Sequence, residues 1–467
     1  MCFERIPAPP ASPRRSFGAR ARPVCTGRLG RRVFGAALLA LAGFGAGAAL
    51  PVGPGGAALA QEQEQEQEQE RKQEPVDGLD RAIGRALFRR AWVPAPSSTR
   101  ANDGLGPLFD ARSCAACHPG AGPGATTLTP EGVPDGLGLV LTLLRADGAG
   151  DPAYGHRLET MTLPGVPAEG VVRVRVLPDG RRVPAITEPG YGPLDAATGL
   201  SLRAAPDLRG RGRLEEVSDA AILAGADPDD RDGDGVRGRA RLLETPEGGS
   251  RIGRFGWKAA HATLEGQASE AFALDLGLST PLRLEPWGDC TERQTACRQA
   301  PHGQEREGEP EIGEAIVARL VDYLRSLPVP PPRPGDDATA ARASGPSSAG
   351  AALFTATGCA ACHRPALPTR SGGEARLFTD VLLHDMGEGL ADPVGQPGAG
   401  PRDWRTAPLA GLSLALARGS GLLHDGRAGS VAEAVRWHGG EAERARARFD
   451  ALPAAERDRL LAYVSSL

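Results

Sequence analysis

Apolar residues recur at helical spacing in two matching pairs of segments. Residues 84–88 (GRALF) and 350–354 (GAALF) predict two similar short helices. Residues 319–327 (RLVDYLRSL) and 459–467 (RLLAYVSSL) agree in register at Arg, Leu, Tyr, Ser and Leu, which predicts two similar amphipathic helices. Because each opening segment is followed by a closing one, the pattern predicts an internal repeat of two helical domains.

A longer apolar run, residues 33–50, lies near the start of the chain. Arg31 and Arg32 precede it, and a small-residue stretch ending in Ala58, Leu59 and Ala60 follows it. A basic segment, an apolar run and an A-x-A site are the parts of a secretory signal peptide, here residues 1–60. An uncleaved membrane anchor is the alternative. Residues 61–78 form a polar, low-complexity Gln/Glu linker. We therefore expect export to the periplasm.

Charge and composition narrow the choice of partners. The 467-residue chain has a net charge of -4, but residues 1–60 hold eight Arg and one Glu, so the remainder is acidic. An acidic surface gives no case for nucleic acid binding and would attract a basic soluble partner. The 63 Gly and 42 Pro residues predict long irregular stretches.

Four cysteines form two copies of one motif, Cys114-Ala-Ala-Cys117-His118 and Cys359-Ala-Ala-Cys362-His363. C-x-x-C-H is the attachment signature of c-type haem. The two thiols on one turn add to the porphyrin vinyl groups, and the histidine then ligates the iron. A zinc site would pair two C-x-x-C units around one ion, and a thioredoxin-like dithiol would follow a strand. The motifs therefore predict two covalently bound haem c groups, with His118 and His363 as axial ligands.

The haem motifs and the helical repeat together predict the fold. We expect a mainly α protein with two cytochrome c-like haem domains, the first with a large irregular and β insertion. The N-terminal haem domain would span residues 79–327 and the C-terminal one residues 349–467. The linker between them, residues 328–348, opens with a Pro-rich stretch that cannot continue a helix.

Two smaller patterns also carry chemistry. Covalent haem attachment follows export, so Cys290 and Cys297 are expected to form a disulfide in an oxidising compartment; two buried free thiols are the alternative. Asp230, Asp232 and Asp234 match the start of a D-x-D-x-D-G calcium loop. Arg241 stands where an EF-hand requires Glu, which leaves a shorter calcium loop or a plain polar turn.

The ordered set of motifs resembles the bacterial di-haem cytochrome c peroxidase superfamily, and more narrowly its di-haem oxidoreductase branch. The matching segments are residues 104–118, 154–170, 232–239, 255–280, 382–392 and 422–442.

This resemblance implies roles for particular residues. In the family, the C-terminal haem takes its sixth ligand 14 positions after the His of an H-[DS]-G motif. Here that motif begins at His424, so the ligand would be His438; Met386 is the second choice and His384 the third. Gln267 would orient peroxide on the distal side of the N-terminal haem, and Asp275 would replace the acidic residue of the family as proton carrier. Calcium is also typical of these peroxidases.

The resemblance implies a periplasmic di-haem c-type oxidoreductase. It would reduce hydrogen peroxide, or another small oxidant, with electrons relayed from the C-terminal to the N-terminal haem. The donor would be a small redox protein or a quinol-linked carrier, and the enzyme could act as a homodimer. The alternative is a di-haem electron-transfer cytochrome in which both irons are six-coordinate and no peroxide chemistry occurs.

Overall fold

The computed structural model of the chain describes residues 78–306, 308–333 and 348–467. The predicted signal peptide, the Gln/Glu linker up to residue 77 and most of the Pro-rich linker lie outside these residues, so their assignments stay predictions. Within the described ranges, no helix combines the length and the apolar character needed to span a membrane.

Helices occur along the whole described chain but most of them are short. Several begin at a Ser or Thr whose hydroxyl accepts a hydrogen bond from an amide of the first turn, as Thr263 does from Gly266. The helices are α1 (78–89), α2 (Cys114–Cys117), α3 (Arg211–Glu216), α4 (Asp219–Leu223), α5 (Leu264–Asp275), α6 (Thr295–Arg298), α7 (Glu314–Arg325), α8 (Ala349–Ala356), α9 (Leu412–Ala417), α10 (Val431–Trp437), α11 (Glu443–Ala451) and α12 (Ala454–Ser466).

The strands form several small antiparallel sheets. The largest has the order β3-β2-β7, and the other strands pair two by two as β1-β4, β5-β6, β8-β9, β10-β11 and β12-β13. The strands are β1 (Leu108–Phe109), β2 (Leu139–Leu144), β3 (Arg157–Leu158), β4 (Met161–Thr162), β5 (Val171–Val176), β6 (Arg182–Thr187), β7 (Gly199–Ala204), β8 (Leu242–Thr245), β9 (Gly249–Ile252), β10 (Leu367–Pro368), β11 (Glu374–Ala375), β12 (Leu383–Asp385) and β13 (Asp403–Arg405).

The predicted mainly α, cytochrome c-like fold class is wrong. The structure is 30% helical and 17% strand, with many small sheets. The prediction gave too much weight to the helices at the ends of each haem segment. Between them, residues 139–252 contain most of the long strands, and the Gly- and Pro-rich composition favours turns over long helices. The division into two haem domains stays a prediction.

The sequence repeat has a structural counterpart in two similar helix crossings. Gly84 of α1 lies so close to α7 that an added Cβ would be 2.2 Å from the Arg319 carbonyl oxygen. Gly350 of α8 lies equally close to α12, where an added Cβ would be 2.4 Å from the Cβ of Tyr463. An aromatic pair covers each crossing: Phe88–Tyr323 and Phe354–Tyr463, with ring centroids 5.5 and 5.7 Å apart. The glycine at the same position of each repeat thus allows its two helices to approach closely.

The largest hydrophobic core joins both halves of the chain. It includes Phe88 and Leu320 from the first half and Leu377 and Leu382 from the second. A second core lies under the β3-β2-β7 sheet, where alternate residues of β2 are buried beside Tyr154. A third core surrounds the crossing of α8 and α12.

Two carboxyl groups are buried together beside the second core. Glu159 and Glu169 are 4% and 1% exposed. Burial, followed by the charge of Glu169, raises the pKa of Glu159 well above its usual range, and burial raises the pKa of Glu169 to about 8. The pair therefore retains a proton in the folded protein at neutral pH.

We expect Glu159→Gln to stabilise the protein at pH 8 by about 1–3 kcal/mol, since each pKa unit corresponds to about 1.4 kcal/mol. The unfolded chain releases this proton above about pH 4.5, so wild-type stability falls as the pH rises beyond that value. Below pH 4 the variant and the wild type should be equally stable. Urea unfolding at several pH values measures this, with exposed Glu265→Gln as the control; equal pH profiles for wild type and Glu159→Gln would contradict the prediction.

Candidate functional site

The first C-x-x-C-H motif forms a single helical turn that ends at its histidine. Cys114–Cys117 is helix α2, and His118 is its C-cap residue. His118 Nδ1 donates a hydrogen bond to the Pro206 carbonyl oxygen at 2.9 Å, which leaves Nε2 as the nitrogen able to ligate a metal. Burial lowers the pKa of His118 to about 4, so the imidazole is neutral at pH 7. A neutral, oriented imidazole fits an axial haem ligand.

The second motif has the same orientation of its histidine and a second imidazole facing it. Cys359–Ala361 is a 3-10 turn, and His363 Nδ1 donates to the Phe378 carbonyl oxygen at 3.1 Å. His438 Nδ1 donates to the Ala434 carbonyl oxygen at 2.7 Å. The centroids of the His363 and His438 rings are 6.4 Å apart.

This spacing matches two imidazoles that share one iron. A ring nitrogen lies about 2.0 Å from a first-row metal ion, so imidazoles on opposite sides of the ion have centroids roughly 6 Å apart. Both histidines keep Nε2 available, because each Nδ1 is engaged with a carbonyl. Burial lowers the pKa of both, to about 4 for His363, which favours the neutral form that binds metal. The residues present therefore fit a bis-histidine haem.

One continuous cavity of about 940 Å³ connects the two motifs. Cofactor pockets commonly measure about 300–1,000 Å³, so this volume lies in the range of a pocket that holds a large cofactor. Its walls include the cysteines and histidines of both motifs together with His438, namely Cys114, Cys117, His118, Cys359, Cys362, His363 and His438.

A family model described as "Di-haem oxidoreductase, putative peroxidase" matches residues 195–467. The chain belongs to this family. The match covers more than half of the sequence and includes the second attachment motif, Gln267 and His438, and it begins after the first motif. No curated protein and no solved structure gives a significant match. Haem is therefore the cofactor that the family implies for this di-haem oxidoreductase.

Met386 and His384, the alternative sixth ligands that the sequence analysis left open, have different surroundings in the structure. Met386 lines the cavity. His384 has no free ring nitrogen, because Nδ1 lies 2.7 Å from Glu441 and Nε2 lies 2.9 Å from Asp380. Burial alone would lower the pKa of His384, but its bonds to these carboxylates raise it well above its usual range. Both ring nitrogens of His384 are thus engaged by carboxylates, and neither is free to ligate iron.

Gln267 and Asp275 both line the cavity of the di-haem oxidoreductase, but at opposite ends of α5. Eight residues of helix correspond to a rise of about 12 Å, so the two side chains do not meet at one small substrate. The Gln267 side chain makes no hydrogen bond to the described protein, which leaves its amide available in the cavity. Asp275 instead forms an ion pair with Arg157.

A histidine–carboxylate pair that the sequence analysis missed lies closer to Gln267. His261 Nε2 donates to Glu270 Oε2 at 2.8 Å, and both residues line the cavity. Glu270 follows Gln267 by three positions on α5 and so shares its face. Burial would raise the pKa of Glu270, but His261 and the nearby Arg157 and Arg283 hold it at about 2. The Glu270 carboxylate therefore orients the His261 ring through Nε2, and Nδ1 makes no hydrogen bond within the described residues.

Buried charges also fill the wall between the two motifs. Arg203 makes paired hydrogen bonds to Asp392 at 3.0 and 2.7 Å, and Lys258 lies 3.1 Å from the same carboxylate. Burial lowers the pKa of Lys258 to about 8, while the two cations hold the pKa of Asp392 well below its usual range against the effect of burial. Trp404 stacks on His424 at 3.8 Å and faces both cations. Each of these buried charges thus has a partner of opposite sign.

The candidate calcium loop places its three carboxylates together. Oxygen atoms of Asp230, Asp232 and Asp234 lie within 4.8 Å of one another. Each of these side chains also accepts a hydrogen bond from a backbone amide within the loop. Arg444, which follows His438 in the chain, donates to the Asp234 carbonyl oxygen at 2.6 Å. The loop therefore contacts the His438 segment, and calcium binding stays a prediction.

Cys290 and Cys297 are joined as a disulfide, with their Cα atoms 6.2 Å apart. The disulfide is connected to the cavity wall through the residue next to Cys290. Asp289, next to Cys290, accepts hydrogen bonds from His156 Nδ1 at 2.8 Å and from the Arg157 amide at 3.1 Å. Both His156 and Arg157 line the cavity, so the disulfide anchors a part of its wall.

Proposed function

We propose that this protein is a periplasmic enzyme that reduces hydrogen peroxide to water with electrons relayed from the C-terminal to the N-terminal haem. The observation that carries the proposal is the difference between the two motifs. His363 faces the second imidazole of His438, whereas no imidazole of the described residues faces His118 in this way. A six-coordinate iron is suited to electron transfer, and an iron with an open position is suited to substrate.

The side chains around Gln267 supply what peroxide cleavage requires of the protein. When bound, the two haems would pass on the two electrons that the donor delivers, and two protons from solvent complete the reduction of one peroxide to two waters. The Gln267 amide is free to orient peroxide by hydrogen bonding. One peroxide oxygen must lose a proton that the other gains before the O–O bond breaks. His261 is the better proton carrier in this geometry, because Glu270 fixes its orientation and its Nδ1 makes no hydrogen bond within the described residues, while Asp275 is paired with Arg157.

The acidic mature chain supports a basic electron donor in the periplasm, either a small redox protein or a quinol-linked carrier. A pairing of this kind is steered by opposite charges, so the rate of electron delivery should fall as ionic strength rises.

The experiment uses the exported holoprotein. Its mass should exceed that of the processed chain by two haems. After partial reduction, one haem should show a high-spin signal that becomes low-spin when cyanide binds, and peroxide should be consumed with an artificial electron donor. Two low-spin haems that are inert to cyanide and peroxide would instead support the electron-transfer cytochrome and overturn the enzyme proposal.

A further inference from the structure

Two arginines of the cavity wall, half-buried Arg211 and buried Arg405, have no ionic partner among the described residues. Arg211 and Arg405 both line the cavity, and Arg405 is 7% exposed. Neither forms an ion pair with any carboxylate of the described residues. By contrast, Arg203 and Lys258 in the same cavity share Asp392. An unpaired buried cation costs several kcal/mol, so an unassigned anion is expected beside Arg211 and Arg405.

The hydrogen bonds of both guanidinium groups are incomplete. Arg211 Nε donates to the Asp207 carbonyl oxygen at 2.7 Å, but its buried Nη1 has no partner among the described residues. Arg405 Nε donates to the Gly256 carbonyl oxygen at 3.0 Å and Nη1 to the Thr406 carbonyl oxygen at 2.9 Å, while Nη2 makes no hydrogen bond within that part of the chain. Each arginine thus retains a donor for a ligand.

The nearest carboxylates are already engaged elsewhere. Asp207 forms an ion pair with Arg209, and Asp380 accepts from His384 Nε2 at 2.9 Å and from the Leu382 amide at 3.0 Å. Arg211 and Arg405 line the same cavity, and burial, followed by the charge of Arg211, lowers the pKa of Arg405 to about 9. Arg211 is bound to the Asp207 carbonyl oxygen, and the carbonyl oxygen of the neighbouring Pro206 accepts from His118 Nδ1 at 2.9 Å. Arg211 therefore lies beside the first motif, and Arg405 lines the same cavity.

We propose that Arg211 and Arg405 form a carboxylate-binding pair that holds the propionate groups of the porphyrin attached to Cys114 and Cys117. A porphyrin carries two propionates, and the planar guanidinium group suits a carboxylate because it can donate two parallel hydrogen bonds. Arg405 lies beside Gly256, where an added Cβ would approach Gln267 Oε1 at 3.4 Å, so the pair also adjoins the proposed substrate side. The inference rests on haem attachment at the first motif and not on peroxide as the substrate.

The test follows the reduction potential of each haem and the propionate-bending band in the resonance Raman spectrum. In Arg211→Gln and Arg405→Gln holoproteins, the propionate band should shift and the midpoint potential of the cyanide-binding haem should fall, because a nearby cation favours the ferrous state. The His363 haem should keep its potential. Arg213→Gln removes the same charge from an exposed position of α3 and should change neither reading.

A free carboxylate anion from solution could bind the two arginines in place of the propionates. A titration with acetate distinguishes the free anion from the propionates. At constant ionic strength, wild-type potential and Raman band should not depend on acetate concentration if propionates occupy the pair. A dependence that disappears in Arg405→Gln would show a free-anion site and overturn the proposal, as would unchanged spectra and potentials in both variants. If the Arg211→Gln variant cannot be purified with two haems bound, the Arg405→Gln variant and the acetate titration of the wild type still test the proposal. None of these measurements uses peroxide consumption. The propionate proposal can therefore fail while the proposed peroxidase activity is confirmed, and the activity can be absent while the propionate proposal is confirmed.

Discussion

His438→Ala should convert the haem on His363 from six-coordinate and low-spin to a form with an open axial position. The His438 ring lies 6.4 Å from the His363 ring and is the facing imidazole at this motif. Without it, the nearby His384 is not placed to replace it, since both of its ring nitrogens are bound to carboxylates. The variant should show a high-spin EPR signal and cyanide binding at a second haem, and added imidazole should restore the low-spin spectrum.

Met386→Leu is the matched control for this substitution. Met386 lines the same cavity and is the competing thioether ligand. If His438 is the ligand, Met386→Leu leaves the spectrum of the fully oxidised protein unchanged. A low-spin spectrum that survives in His438→Ala and disappears in Met386→Leu would assign the sixth position to the thioether instead. The midpoint potential of the haem on His363 also distinguishes the two ligands, because a thioether favours ferrous iron more than an imidazole does and so raises this potential.

Local motifs were the part of the site that could be predicted from sequence. C-x-x-C-H places two thiols and a histidine on one turn, and the 14-residue interval from His424 points to His438 through the family resemblance. The repeated Gly and Tyr positions of the opening and closing helices predicted a repeat, and Gly84 and Gly350 do pack against equivalent helices. These features depend on residues that are close in sequence or on a repeated pattern.

Contacts made between a loop and a helix, or between the two halves of the chain, could not be predicted in the same way. His261 and Glu270 become a pair only because the loop before α5 returns to its helix, and Arg211 and Arg405 come from different halves of the chain. The fold class failed for a related reason. Helical periodicity is visible in single segments, whereas the short strands between 139 and 252 are defined by their pairing with other strands.

Gln267→Leu should lower kcat/KM for peroxide by about 10²-fold or more, the usual effect of removing one positioned hydrogen-bond donor from an active site. The Gln267 amide lines the cavity without a partner in the described protein, so its removal disturbs no structural hydrogen bond. Leu has nearly the same size and keeps the helix. Haem spectra and midpoint potentials should therefore stay as in the wild type, while peroxide consumption with an artificial donor falls.

Glu265→Gln, two residues earlier on the exposed side of α5, is the control that separates a local effect from a change in the helix. It should retain wild-type kinetics. Two further variants, His261→Gln and Asp275→Asn, distinguish the two candidate proton carriers. If His261 carries the proton, His261→Gln alone should lose activity and show a flattened pH profile. The same result in Asp275→Asn alone would assign proton transfer to Asp275. If Gln267→Leu keeps full activity, peroxide is not oriented by this face of α5, and the cavity side near Arg157 becomes the place where substrate must bind.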